Sequence, residues 1–152
     1  MYPKQHAILG LIFATILFLF FPEIGFLGFS LIVFSSVLID VDHYVNHVLN
    51  KKDWNLKNAF RWHVFKGKKL LSLLRAERNN YYTGFFFLHG LEVLILFFIL
   101  SFFFKPFLFI FIGFSFHLIL DIIYQTTFSD RIDRVSLIYD FFKFKKLNLL
   151  NE

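Results

Sequence analysis

Four apolar runs constrain this chain more than any other feature. Residues from about 5–21, 24–49, 82–104 and 107–128 are each long enough to cross a bilayer, which takes roughly 17–25 helical residues. Pro22-Glu23 and Lys105-Pro106 turn the chain between the first and second runs and between the third and fourth. Residues 50–81 differ sharply, with nine Lys/Arg and two acids. The expected fold is an all-α membrane protein: one four-span bundle over residues 1–152, with a basic amphipathic connector between spans two and three. Composition agrees, because 57% of the 152 residues are hydrophobic and only 18% charged, where a soluble domain carries about a quarter. Phe occurs 26 times and reads as apolar bulk suited to lipid. The absence of cysteine excludes disulfides, thiolate zinc sites and thiol catalysis. No cleavable signal peptide is expected, since no small-residue cleavage site follows the first run before Pro22.

Charge assigns the sides. With four spans, both termini and the connector share one face, and that face holds 15 of the 16 Lys/Arg, only Lys105 lying opposite. The positive-inside rule makes it cytoplasmic, in the cell (inner) membrane. The net charge of +5 is then explained by topology, and membrane lipids, not nucleic acid, are the expected partners. Within the connector Leu56, Phe60, Val64, Leu71 and Leu74 recur at roughly helical spacing among Lys57, Arg61, Lys68, Arg75 and Arg78. That pattern suits a helix lying on an anionic leaflet, which Gly67 weakens and divides. A solvated loop is the plainer alternative.

Ionisable residues inside these spans are costly and mark function by default. They are His6, then Asp40, Asp42 and His43, then His89 and Glu92, then His117 and Asp121. Counted at about 1.5 Å per residue, all lie toward the cytoplasmic ends of their spans, so four helices of alternating direction deliver them to one layer. His89 and Glu92 (i, i+3) share a helical face, as do His117 and Asp121 (i, i+4) and Asp40, His43 and His47. Asp42 points the other way on an ideal helix. Either the helix unwinds there, or Asp42 orients a ligating imidazole from behind. Four carboxylates lie in the spans and no Lys or Arg does, so they need protons or bound cations. Taken singly, these residues have plainer readings. A lone membrane His commonly bonds helix to helix, His47 and His63 sit where the interface tolerates them, His117 with Asp121 is a conceivable proton relay, and Glu92 is satisfied by a proton. Their common depth and missing counter-cations favour a centre holding one to three divalent ions, zinc first and manganese second.

The early His6, the D-x-D-H of Asp40-Val41-Asp42-His43, the His89-Gly90-Leu91-Glu92 stretch and the G-x-x-x-H-x-x-x-D of Gly113 to Asp121 together resemble the membrane-bound metal-dependent hydrolases, in order and over most of the chain. That family is itself distantly similar to the zinc-dependent phospholipase C and P1 nuclease group, all-helical phosphodiesterases with a trinuclear zinc site. The resemblance implies a hydrolase at the membrane, with phosphoester cleavage as the reaction. The family commonly shows H-R-G-x-T-H-S before its third span, where this chain has Tyr82-Thr83-Gly84-Phe85 leading to His89. Glu92 is the candidate substitute for a ligand lost there.

The expected metal ligands are thus His6, Asp40, Asp42, His43, His89, Glu92, His117 and Asp121. Glu92 or Asp42 is expected to accept the proton of the attacking water, and Arg61 and Lys66 to hold an anionic headgroup, a lipid phosphoester being the suggested substrate. The competing reading is a metal- or proton-handling membrane protein without hydrolysis. Four spans are few for a transporter unless it forms a homo-oligomer, and neither an internal repeat nor a polar path to the far side is visible.

Overall fold

A computed structural model of the chain describes residues 3–129, 132, 133 and 135–150, and among these it is mostly helical. Helix α1 (Pro3–Phe20) starts on a proline, whose missing N–H costs nothing at a helix start. A 3₁₀ turn over Pro22–Ile24 and Gly25, at φ 64°, reverse the chain into α2 (Gly25–Leu38). α3 (Val41–Lys51) follows α2 after Ile39-Asp40 and ends on Lys52 in the left-handed conformation. α7 (Pro106–Tyr124) again starts on proline and runs into a π-helical turn over Gln125–Ser129.

Among the described residues three stretches, Pro3–Phe20, Pro22–Lys51 and Pro106–Ser129, are long and apolar enough to cross a membrane. Their outward faces stay apolar. Phe20, Phe26 and Phe103 are 77%, 79% and 82% exposed, a surface that suits lipid and not water. The third run departs from expectation. It is helical only over α6 (Leu91–Ser101), eleven residues or about 16 Å, roughly half a hydrocarbon core. Residues 83–90 form an irregular loop instead, so the expected helix over 82–104 is not continuous.

α7 is the hub, packing against α1, α2 and α6, while α2 also packs on α1. Small residues make the close crossings. A Cβ on Gly10 would strike Ser36, and one on Gly113 would strike Ser35 Oγ and lie 2.6 Å from the Ile32 carbonyl oxygen. Ala14, Ile32 and Phe109 fill the half of the bundle distant from residue 40, and Ile39, Phe114 and Leu118 the nearer half.

Residues 50–81 hold a helix, α4 (Leu56–Ser72), capped by Asn55, whose side chain accepts from the amides of Lys57 and Asn58. Gly67 does not split it. α4 lies over α3, burying Ala59, Trp62, Lys66 and Leu70 and leaving Leu56 and Phe60 exposed. A short helix α5 (Arg75–Arg78) leads to strand β1 (Tyr81–Tyr82), which pairs in parallel with β2 (Asn148–Leu149). Before β2 comes α8 (Leu137–Phe144), its first turn capped by Ser136.

Candidate metal centre

The polar residues of α1, α2, α3 and α7 meet at one end of the bundle, as their counted depths require. Local backbone geometry decides which atoms meet. Between α2 and α3 the helix tightens. The Asp40 amide donates to Val37 O and the His43 amide to Asp40 O, both i to i−3 bonds. The α-helical acceptor for the Asp40 amide would have been Ser36 O. That carbonyl instead accepts from His117 Nδ1 at 2.8 Å across the α2–α7 crossing. The same tightening re-aims the following residues, so Asp40 and Asp42 both turn toward the site.

Asp42 lies behind the ligand cluster. Its Oδ1 accepts from His43 Nδ1 at 2.8 Å, and its Oδ2 accepts from His89 Nδ1 at 2.9 Å and from the Leu88 amide at 3.1 Å. Of the two alternatives left open by the sequence, the second matches the geometry, Asp42 bonding the imidazoles of His43 and His89, while the helix tightens where unwinding was the other expectation.

With Nδ1 of His89 and His117 each donating a hydrogen bond, the neutral rings carry lone pairs on Nε2. His89 Nε2 lies 3.7 Å from Asp40 Oδ1 and 3.6 Å from Asp121 Oδ2, and His117 Nε2 lies 3.7 Å from each of the same two oxygens. Two lone-pair nitrogens and two carboxylate oxygens thus alternate around a small ring, and all four separations are too long for hydrogen bonds. Such a set is repulsive unless a cation sits among it. A tetrahedral zinc site with bonds of about 2.0–2.1 Å has ligand–ligand edges of about 3.3–3.4 Å, close to each of these four nitrogen–oxygen separations. His117 Nε2 and Asp40 Oδ2 are buried without a hydrogen-bond partner among the described residues, which fits unspent ligand capacity. His6 flanks the ring, with Nε2 3.1 Å from Asp121 Oδ1 and its imidazole stacked on His117 at 3.7 Å. Among the described residues three overlapping ligand triads result: His6–Asp40–His117, Asp40–His43–His89 and His89–His117–Asp121.

Glu92 does not join them. It lies in the first turn of α6, and its carboxylate accepts from Ser136 Oγ at 2.6 Å and from the amides of Leu137 and Ile138 at 2.9 and 3.3 Å. The expected shared face with His89 fails because His89 is on the loop, one residue before the extended Gly90 that caps α6. His47 is buried against Trp62, with Nε2 3.6 Å from Asp53 Oδ2 and away from the cluster. Asp53 itself is on an exposed loop, where the Asn55 amide and then Asn58 Nδ2 hold its carboxyl below the usual range. His63 Nε2 donates to His43 O at 2.6 Å.

Beside the cluster lies a cavity of about 420 Å³. Asp40, His43 and Asp121 line it together with His63, Lys66 and apolar residues such as Val41 and Phe60. The Lys66 ammonium stands 3.9 Å over the Trp62 ring and donates to Thr83 O at 3.2 Å. Arg61 is exposed on α4 and does not line the cavity. Residue-type reasoning passed over Ser36 and Ser136, whose roles are a backbone carbonyl and a cap. The adjacent Ser35-Ser36 pair inside an apolar run was the available signal of a close helix crossing. Compared with known proteins, the chain matches no family model, no curated protein and no solved structure.

Proposed function

We propose that this chain is a membrane-embedded, metal-dependent hydrolase that cleaves a phosphoester. The observation that carries the reading is the ring of His89 Nε2, Asp40 Oδ1, His117 Nε2 and Asp121 Oδ2, its imidazoles oriented by Asp42 and by Ser36 O. Those four residues would hold the first ion, zinc in preference to manganese, and His6 and His43 would extend the donor set for a second or third. A divalent cation there would supply Lewis acidity and make an attacking water more acidic. Asp42 has both oxygens occupied by N–H donors, so its role is orientation. Asp40 Oδ2, lacking a partner among the described residues, is the acceptor we assign to the proton leaving that water. Lys66 holds the phosphate as a point charge from the cavity wall, and the apolar wall suits a lipid-borne ester.

In this reading the loop 83–90 and α6 together make the third crossing, irregular backbone being tolerated at membrane depth where protein covers it. Both termini are then cytoplasmic, and α4 rests on the inner leaflet with Lys57 and Arg61 toward the headgroups. A metal- or proton-handling protein without hydrolysis needs a polar route to the far side. Among the described residues Ala14, Ile32 and Phe109 pack that half. The test is metal content by mass spectrometry on detergent-purified wild type, Asp40→Asn and His117→Ala, followed by assays on lipid and nucleotide phosphoesters. One to three zinc ions per chain in the wild type alone, with phosphoester turnover, supports the proposal. A wild type holding no more metal than the variants, even after zinc is added back, refutes it.

A further inference from the structure

The loop that delivers His89 has no regular structure of its own, yet both of its ends are tied to the C-terminal segment. At the near end the Asn148 amide donates to Asn80 O at 3.0 Å and the Leu150 amide to Tyr82 O at 2.9 Å, setting β2 beside β1. At the far end the Leu91 amide donates to Val135 O at 2.8 Å. There Glu92 receives the Ser136 hydroxyl and two amides at the start of α8, a negative charge against the positive end of that helix. Gly90 lies in the same junction. A Cβ there would come within 2.7 Å of Glu92 Oε2 and 2.5 Å of Leu137 Cγ. Inside the loop the ties run to α3 and α4, with the Leu88 amide and His89 Nδ1 donating to Asp42 Oδ2 and Lys66 Nζ to Thr83 O, while the His89 amide reaches Phe86 O at 3.4 Å. An irregular segment holds a side chain in place chiefly through its anchors, and a ligand displaced by about 1 Å is no longer a ligand.

We infer that Glu92 is a positioning residue for the metal centre. By docking the start of α8 it clamps the 83–90 loop, so that His89 Nε2 faces Asp40 and Asp121. The inference rests on the metal-binding reading above and gives residues 135–150 a role in metal affinity, although the described contacts of Glu92 include no residue of the ligand ring. Release of this clamp would loosen one ligand and spare the others.

The test is a double-mutant cycle on the full-length, detergent-purified chain, with zinc affinity read by competition against a chromophoric chelator. Glu92→Gln is made in the wild type and in His89→Ala. Gly90→Ala, which crowds the junction without touching a ligand, is the second variant should Glu92→Gln lose its helical circular dichroism. Loss of an orienting partner typically weakens metal binding about 10–100-fold. That loss is expected for either variant when His89 is present and is expected to vanish in His89→Ala. Hydrogen exchange of the loop 83–90 amides is expected to quicken in the metal-free variants. Equal losses with and without His89, no loss at all, or unchanged exchange would each overturn the clamp. Equal zinc affinity in wild type and His117→Ala would overturn the metal centre itself, which separates that failure from failure of the clamp.

Discussion

Two glycine-to-alanine substitutions test the architecture with opposite expected signs. At Gly113 on α7 the added Cβ would lie 2.6 Å from the Ile32 carbonyl oxygen on α2. Comfortable carbon–oxygen contacts begin at about 3.3 Å, so the helices must part by about 0.7 Å. The clash partner is backbone and cannot swing aside. Overpacking of this kind costs about 1–3 kcal/mol, against which alanine's better helix propensity returns about 1 kcal/mol. Four residues along, the same parting would stretch the His117 Nδ1 bond to Ser36 O from 2.8 Å toward the limit for a hydrogen bond, at about 1 kcal/mol more. Gly113→Ala is therefore expected to destabilise by about 1–3 kcal/mol and to weaken zinc binding through His117. Gly67 sits within α4, where an added Cβ meets nothing within 4 Å. Gly67→Ala is expected to stabilise by about 1 kcal/mol and to leave zinc affinity unchanged. Both are measured by unfolding in mixed detergent micelles followed by circular dichroism, with zinc competition alongside. If Gly113→Ala proves neutral or stabilising, the α2–α7 approach is looser than described, and the account of His117 orientation fails with it.

Two further outcomes follow from the same geometry. Asp42→Asn keeps the shape but turns one of the two accepting oxygens into an NH2 donor, so the bond to His43 or those to His89 and Leu88 are lost and the rest become neutral, and zinc affinity should fall about 10–100-fold without abolition. Complete loss, equal to that of His117→Ala, would mean that Asp42 ligates directly. Lys66→Met should leave zinc content intact and raise the KM for a phosphoester about 10-fold or more, with kcat little changed, as expected for loss of a charged contact. An unchanged KM would remove Lys66 from the substrate site.

Much of the site could be read from residue order because helix rise converts sequence position into depth. His6, Asp40, His117 and Asp121 lie near the same ends of long apolar runs, and the structure brings them together. His117 and Asp121 also share a face, since α7 is regular through both. The same arithmetic failed at His89 and Glu92. It assumed one helix over 82–104, whereas the chain there is a loop that delivers His89 inward and an α6 that sends Glu92 to α8. Residues Leu56–Ser72 are helical throughout, Gly67 being too weak a breaker against the burial of Trp62 and Leu70.

What the amino-acid sequence determined by itself was the class and the layer. Apolar runs of bilayer length can satisfy their backbones in lipid only as helices, and ionisable groups within them gather where they can neutralise one another. What only tertiary structure decided was the aim of each side chain. The turn at Ile39-Asp40 freed Ser36 O for His117 and brought Asp42 behind His43 and His89. Both outcomes depend on contacts between segments more than 40 residues apart, on α2 against α7 and on the loop before α6 against α3, and no local periodicity encodes such contacts.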